Sequence, residues 1–162
     1  MPAGAGRTSG VGGAGGAAIL ACLSALGAGS EATAEDFLAG PVPAVVEGVI
    51  DGDTLKVRAH IWLDQNVAIH VRLAGVDAPE MSGACDRETA LAERAREFLQ
   101  GRLPSAGDNG PNVQLLEVRY GKYARRVVAR VETEAGLDLG AALLAAGLAQ
   151  PYNGGRRPTW CD

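Results

Sequence analysis

From Thr54 onward the chain alternates apolar and polar residues with a period of two. Leu55, Val57, Ala59 and Ile61 interleave with Thr54, Lys56, Arg58 and His60, and Val67, Ile69, Val71 and Leu73 interleave with Ala68, His70 and Arg72. Two half-buried strands follow from that pattern, with a polar turn over Asp64-Gln65-Asn66 between them. Val45 to Ile50 reads as a preceding strand, joined through an Asp51-Gly52 turn. The period then lengthens: Leu91, Ala95, Phe98 and Leu99 share one face of a helix that Asp86 can cap. After a polar loop over 104–111, strand character returns in Val113–Arg119 and Val127–Glu132. A second helix begins after Asp138, carries Leu139, Leu143 and Leu144 on one side, and stops at Gly147. Three strands, a helix, two strands and a helix predict an α+β, mainly β domain: a five-stranded OB-fold barrel with two to three helices.

Composition changes the picture most at the N-terminus. The first forty residues hold ten Gly and eleven Ala, with Arg7 their only basic residue. Ala17 to Ala28 is an apolar run too short for a membrane-spanning helix, which needs ~20 residues. It is followed by Ala32-Thr33-Ala34 and acidic Glu35-Asp36, the order of a secretory signal cleaved after Ala34. The expected organisation is therefore a signal at 1–34, a Pro-marked linker at 35–44, a domain at 45–153 and a tail at 154–162. Secreted or periplasmic placement follows. Ile19-Leu20-Ala21-Cys22 also resembles a lipoprotein box, so an anchored form is the alternative.

Cleavage would remove Cys22 and leave Cys85 and Cys161, an even pair that in an exported protein reads as one disulfide. Two unrelated buried thiols are the other reading. A bridge would tie the C-terminal tail to the segment after Glu80 and stabilise by up to about 4 kcal/mol on loop entropy. Net charge is −4, so non-specific coating of nucleic acid is not expected and any such contact must be local.

Candidate chemistry concentrates at two strand ends. Ile50-Asp51-Gly52-Asp53-Thr54 and Arg72-Leu73-Ala74-Gly75-Val76-Asp77-Ala78-Pro79-Glu80 each close an alternating run with carboxylates. Asp53 and Asp77, with the Ala78 carbonyl, are oxygen donors of the kind a hard divalent cation takes, and so few protein ligands would leave room for water and a phosphate oxygen. Glu80, beyond the backbone constraint of Pro79, can serve as a general base toward water. Arg72 can pair bidentately with a phosphate. Taken singly, each is an ordinary turn or strand-end residue; their conjunction in neighbouring strands is specific. His60 and His70 have no partner at zinc spacing and read as surface residues.

These two segments, with Lys122-Tyr123-Ala124-Arg125-Arg126 and Gly147-Leu148-Ala149, occur in the order and spacing of the staphylococcal nuclease (thermonuclease) family. The resemblance covers about residues 45–153, and Pro158-Thr159-Trp160-Cys161 is similar to the tail of an exported bacterial branch. It implies an OB-fold and Ca²⁺-dependent hydrolysis of DNA and RNA to 3′-phosphate and 5′-hydroxyl ends. It also implies that Asp53, Asp77 and the Ala78 carbonyl hold calcium, with Asp51 in an outer shell. Arg72 and Glu80 match the catalytic arginine and base, and Lys122 and Tyr123 match contacts to the substrate's terminal phosphate. For the second catalytic arginine, direct spacing favours Arg125 and a longer family variant favours Arg126. Strand phase selects Arg126, with Arg125 the alternative. Tyr152 either stacks on a base or packs under the tail, whereas Arg156 and Arg157 read as a solvated tail. The protein is expected to act as a monomer on DNA and RNA. The competing function is a non-catalytic nucleic-acid or protein binding module on the same barrel.

Overall fold

The computed structural model describes residues 37–103, 110–123 and 125–161. The expected signal segment, including Cys22, and most of the 104–111 loop lie outside the described residues. Eight strands and two helices follow in chain order: β1 (Phe37–Leu38), β2 (Val42–Val49), β3 (Thr54–Trp62), β4 (Gln65–Leu73), β5 (Val76–Asp77), α1 (Asp86–Arg102), β6 (Asn112–Tyr120), β7 (Arg126–Thr133), α2 (Leu139–Ala145) and β8 (Gln150–Pro151). The main sheet runs β1-β6-β2-β3-β4-β7 and closes through β6–β7, with β4 and β7 parallel and the other pairs antiparallel. Strands β2, β3, β4, β7 and β6 thus form the closed five-stranded OB-fold barrel expected from the strand pattern.

Closure removes the edges and turns one face of each strand inward. Leu55, Val57, Val71, Leu73, Val113, Leu115, Ala129 and Val131 fill the interior, each no more than 2% exposed. The alternation fails at one end: Ile61 and Val67 keep the period but are exposed, because the β3–β4 hairpin projects beyond the barrel. Its turn is tighter than the 64–66 prediction. Only Leu63 and Asp64 lie between the strands, Asp64 adopts φ 56°, and Gln65 and Asn66 already belong to β4. Asp is one of the few residues that tolerates that left-handed conformation.

The expected linker is also partly structured. Phe37 and Leu38 pair with Arg119 and Val118, and β2 starts at Val42 rather than Val45, opposite Leu115. Pro43 sits where β2 has a partner on one side only, an edge position of the kind proline tolerates.

Helix α1 starts one residue earlier in its cap than predicted. Cys85 is the N-cap, Asp86 falls in the first turn, and Glu88 reaches back to accept from the Ala84 N–H at 2.8 Å. Its buried stripe is Ala92, Ala95 and Leu99, while Leu91 and Phe98 are only half-buried. Small residues win the inner face because the helix presses on the β2–β3 loop: a Cβ at Gly52 would lie 2.7 Å from the Ala95 Cβ and 2.8 Å from the Ala78 Cβ. Gly52→Ala is therefore expected to destabilise by about 1–3 kcal/mol through overpacking and to displace Asp51 and Asp53. Thermal unfolding together with an activity assay checks both parts, and wild-type values in both would remove Gly52 from the account.

Helix α2 is capped as predicted, with the Asp138 carboxylate accepting from the Ala141 N–H at 2.9 Å. Gly147 ends it at φ 66°, its N–H donating to the Leu144 carbonyl while Leu148 N–H donates to Leu143. That is the Schellman arrangement, which favours glycine. The turn feeds the chain into β8, which pairs with β5 through Asp77↔Gln150 and Val76↔Pro151. No strand is expected at either segment from the sequence, and the pair holds Asp77 against Gln150 and Tyr152 against Gly75. None of the described helices is long and apolar enough to cross a membrane.

Candidate active site

Asp53 is placed by the loop between β2 and β3. The Asp51 carboxylate accepts from the Asp53 N–H at 3.0 Å, an Asx-type contact that fixes the loop. The Asp53 carbonyl accepts from the Leu73 N–H at 2.8 Å, which pins the loop to β4. Its carboxylate accepts from the Thr54 hydroxyl at 3.0 Å and the Ala78 N–H at 3.0 Å. The structure thus engages the amide of Ala78 in orienting Asp53.

Arg72, one residue from the end of β4, lies between the two buried carboxylates. Its Nη1 donates to Asp53 Oδ1 at 2.9 Å, and its Nη2 reaches Asp53 Oδ2 at 2.8 Å and Asp77 Oδ1 at 2.7 Å. A planar guanidinium makes this two-carboxylate clamp; a lysine ammonium cannot. Burial pushes the Asp53 carboxyl up to about 7, and Asp51 adds to it, despite the opposing pull of Arg72 and the Ala78 N–H.

Glu80 is half-buried at the mouth. Its backbone N–H donates to Glu88 of α1 at 3.3 Å, so the helix start positions it. Its carboxylate meets Arg157, a tail residue that the sequence reading left in solvent. Arg157 Nη1 contacts Glu80 Oε1, and Arg157 Nε lies 3.1 Å from Asp77 Oδ1. Partial burial opposes the charge on Arg157, but Glu80 and Asp77 outweigh it and hold the guanidinium above its ordinary pKa. The tail is tied there by the Cys85–Cys161 disulfide at the start of α1. Only pairing over so long a separation brings Arg157 to Glu80, and no local pattern signals it.

The two candidates for the second arginine separate clearly. Arg125 is exposed in the turn before β7 at φ 62°. Arg126 opens β7, stacks its guanidinium 4.9 Å from the Tyr123 ring centroid, and has a buried Nε with no hydrogen-bond partner among the described residues. Only Arg126 lines the cavity of about 1050 Å³ that also takes in Arg72, Glu80, Lys122, Tyr123, Tyr152 and Arg157. Arg119 and Arg130 extend the same wall, so this face is strongly basic on an otherwise acidic chain. Tyr152 is half-buried, its N–H bound to Gly75 and its hydroxyl donating to the Gly155 carbonyl at 3.0 Å. His60 and His70 are exposed; His60 lies toward the β3–β4 hairpin, and His70, although it is the register partner of Arg126, does not line the cavity.

A family model for staphylococcal nuclease homologues matches residues 70–159, more than half of the chain. The chain belongs to the staphylococcal nuclease family. A protein of Schizosaccharomyces pombe (strain 972) named as a probable endonuclease is 34% identical over 95 residues, a match that covers 55% of this chain. This chain spans 39% of the length of that relative. The nuclease-family match takes in Arg72, Asp77, Glu80, Lys122, Tyr123 and Arg126. Asp51 and Asp53 precede it, and the Arg72 clamp is what joins Asp53 to the matched part.

The residues present suit a hard cation. Among the described residues, no three carboxylate, histidine or cysteine side chains form a ready-made cage. Asp53 and Asp77 nonetheless offer oxygen donors only, brought together on Arg72, and a divalent ion bound there would favour their charged forms. A site with two carboxylates and a backbone oxygen would leave coordination positions for water and substrate.

Proposed function

We propose that this nuclease-family chain hydrolyses phosphodiester bonds of DNA and RNA in a calcium-dependent reaction that leaves 3′-phosphate and 5′-hydroxyl ends. The observation that carries the reading is one cavity where Arg72, Arg126 and Glu80 converge, with Asp53 and Asp77 behind Arg72. Asp53, Asp77 and the Ala78 carbonyl would hold the calcium ion, with Asp51 supporting Asp53. The bound ion would supply charge neutralisation and a template for the phosphate.

The chain's own groups do the rest. Arg72 spends Nη1 and Nη2 hydrogens on the carboxylates and retains its Nε–H and one Nη1 hydrogen for a phosphate oxygen. Arg126 lines the same cavity and brings a second guanidinium to it. Two guanidinium groups aimed at the phosphate favour the extra negative charge of the transition state over the ground state. Glu80 takes the proton of the attacking water. Lys122 and Tyr123 seat the substrate's terminal phosphate, and Tyr152 offers an aromatic face to a base.

The same reading makes the protein an exported monomer whose residues 1–34 are cleaved, either free in the periplasm or medium or anchored at Cys22. The Cys85–Cys161 disulfide supports export, because such bonds persist in oxidising compartments.

Digestion of plasmid DNA, denatured DNA and RNA by the purified protein tests the proposal. Cleavage is expected with calcium and not with a chelator, and end-labelling should find 3′-phosphates. Calcium affinity should weaken by up to tenfold per pH unit below about 7, as protons compete for Asp53. Absence of calcium-dependent cleavage would favour the binding module.

A further inference from the structure

The Arg157 contact is not used by the reaction just proposed, and it falls on two of its residues. Asp77 Oδ1 accepts from Arg72 at 2.7 Å and forms an ion pair with Arg157 Nε at 3.1 Å, so both cations share one oxygen. The other end of the Arg157 guanidinium contacts Glu80. Arg157 comes from a tail segment with no regular secondary structure, and two constraints hold it near the site. Tyr152 binds Gly155 on one side, and the Cys85–Cys161 disulfide anchors the other. Cys85 is the N-cap of α1, five residues past Glu80, so the bridge fastens the tail to the element that positions Glu80.

We infer that Arg157 is a positioning residue of the metal site: a tethered counter-cation that occupies Asp77 and Glu80 until a divalent cation displaces it. This rests on the reading of Asp77 as a metal ligand. A guanidinium and a divalent ion on the same carboxylate oxygen repel one another, and the site is partly buried, where that repulsion is poorly screened. Cation binding therefore requires Arg157 to leave Asp77, and the work of separating that pair weakens the apparent affinity. Release also frees Glu80 from its partner when the metal arrives. The disulfide matters because a tethered arginine has a high local concentration at the site, which an untied tail would lose.

Calorimetric titration of the metal-free protein with calcium chloride tests this without an activity readout. Arg157→Gln should bind calcium about five- to tenfold more tightly than wild type, the effect of one lost charge pair at a partly exposed site. Arg157→Lys should stay near the wild-type affinity because it keeps the charge. A Cys85→Ser/Cys161→Ser protein should tighten similarly, but the same cysteine changes in an Arg157→Gln background should add nothing further. Equal calcium affinity in wild type and Arg157→Gln overturns the inference and leaves the metal site standing. Equal tightening by the cysteine changes in both backgrounds overturns the role of the tether through Arg157. If no variant binds calcium, the metal reading falls and takes the inference with it. Should the cysteine variants fail to fold, the Gln and Lys substitutions at this exposed position decide it.

Discussion

Replacing Arg72 with alanine is expected to lower the rate of phosphodiester cleavage by at least about 10³-fold, with a second, separate effect on the metal-free fold. The kinetic loss follows from removing a preorganised donor aimed at developing charge, typically worth about 10²–10³ in rate. The clamp adds to it, since Asp53 and Asp77 lose the group that sets their relative orientation. The stability effect comes from burial. The side chains of Asp53 and Asp77 are 4% and 2% exposed, and Arg72 supplies donors to both. Breaking a buried pair by deleting one partner costs about 3–5 kcal/mol, because the remaining charges are left uncompensated. Calcium should restore much of that stability and little of the rate. Arg72→Lys separates the contributions, since it returns a charge without the bidentate fork: thermal unfolding should recover part of the way while kcat stays low. If Arg72→Ala retained activity within tenfold of wild type, Arg72 would be a structural clamp only.

The parts of this site legible in the sequence are those that end regular strands. Thr54 to Ile61 alternate, and Val67, Ile69, Val71 and Leu73 recur at every second position, so Arg72 could be placed on the polar side and Asp53 and Asp77 at strand ends. The same phase argument chose Arg126 over Arg125, and the structure puts Arg126 in the cavity and Arg125 in a left-handed turn outside it. Asp138 and Gly147 announced the ends of α2 through capping chemistry. What was not legible has no period. The β5–β8 pair is two residues per strand, too short to carry a pattern, yet it holds Asp77 against the chain after α2. On the inner face of α1, Ala95 and Leu99 sit as the pattern expects, whereas Ala92 takes the place of Leu91 and Phe98, because the close approach of Gly52 favours small residues there. The exposed Ile61 and Val67 show that alternation reports strand geometry, whereas burial depends on where the barrel ends. Arg157 is the largest omission: a disulfide and a tail bring it to Glu80, and charge count alone could only assign it to solvent.

Glu80→Gln is expected to reduce kcat by about 10²–10⁴, the usual contribution of a positioned general base, with little change in KM or stability. The substitution keeps shape and removes only the ability to take a proton. Glu80 is held through its backbone, by the Glu88 contact and by Pro79, and its carboxylate is 42% exposed with Arg157 as its partner. Loss of that surface pair should change stability by no more than about 0.5 kcal/mol. A kcat effect with KM preserved marks an interaction made in the transition state rather than in substrate binding. Glu80→Asp retains a base but withdraws it by one methylene, so its kcat should fall between those of the wild type and the Gln variant. Wild-type kcat in Glu80→Gln would move the proton-accepting role elsewhere. Asp51 would then be the next residue to replace, as the half-buried carboxylate of the β2–β3 loop.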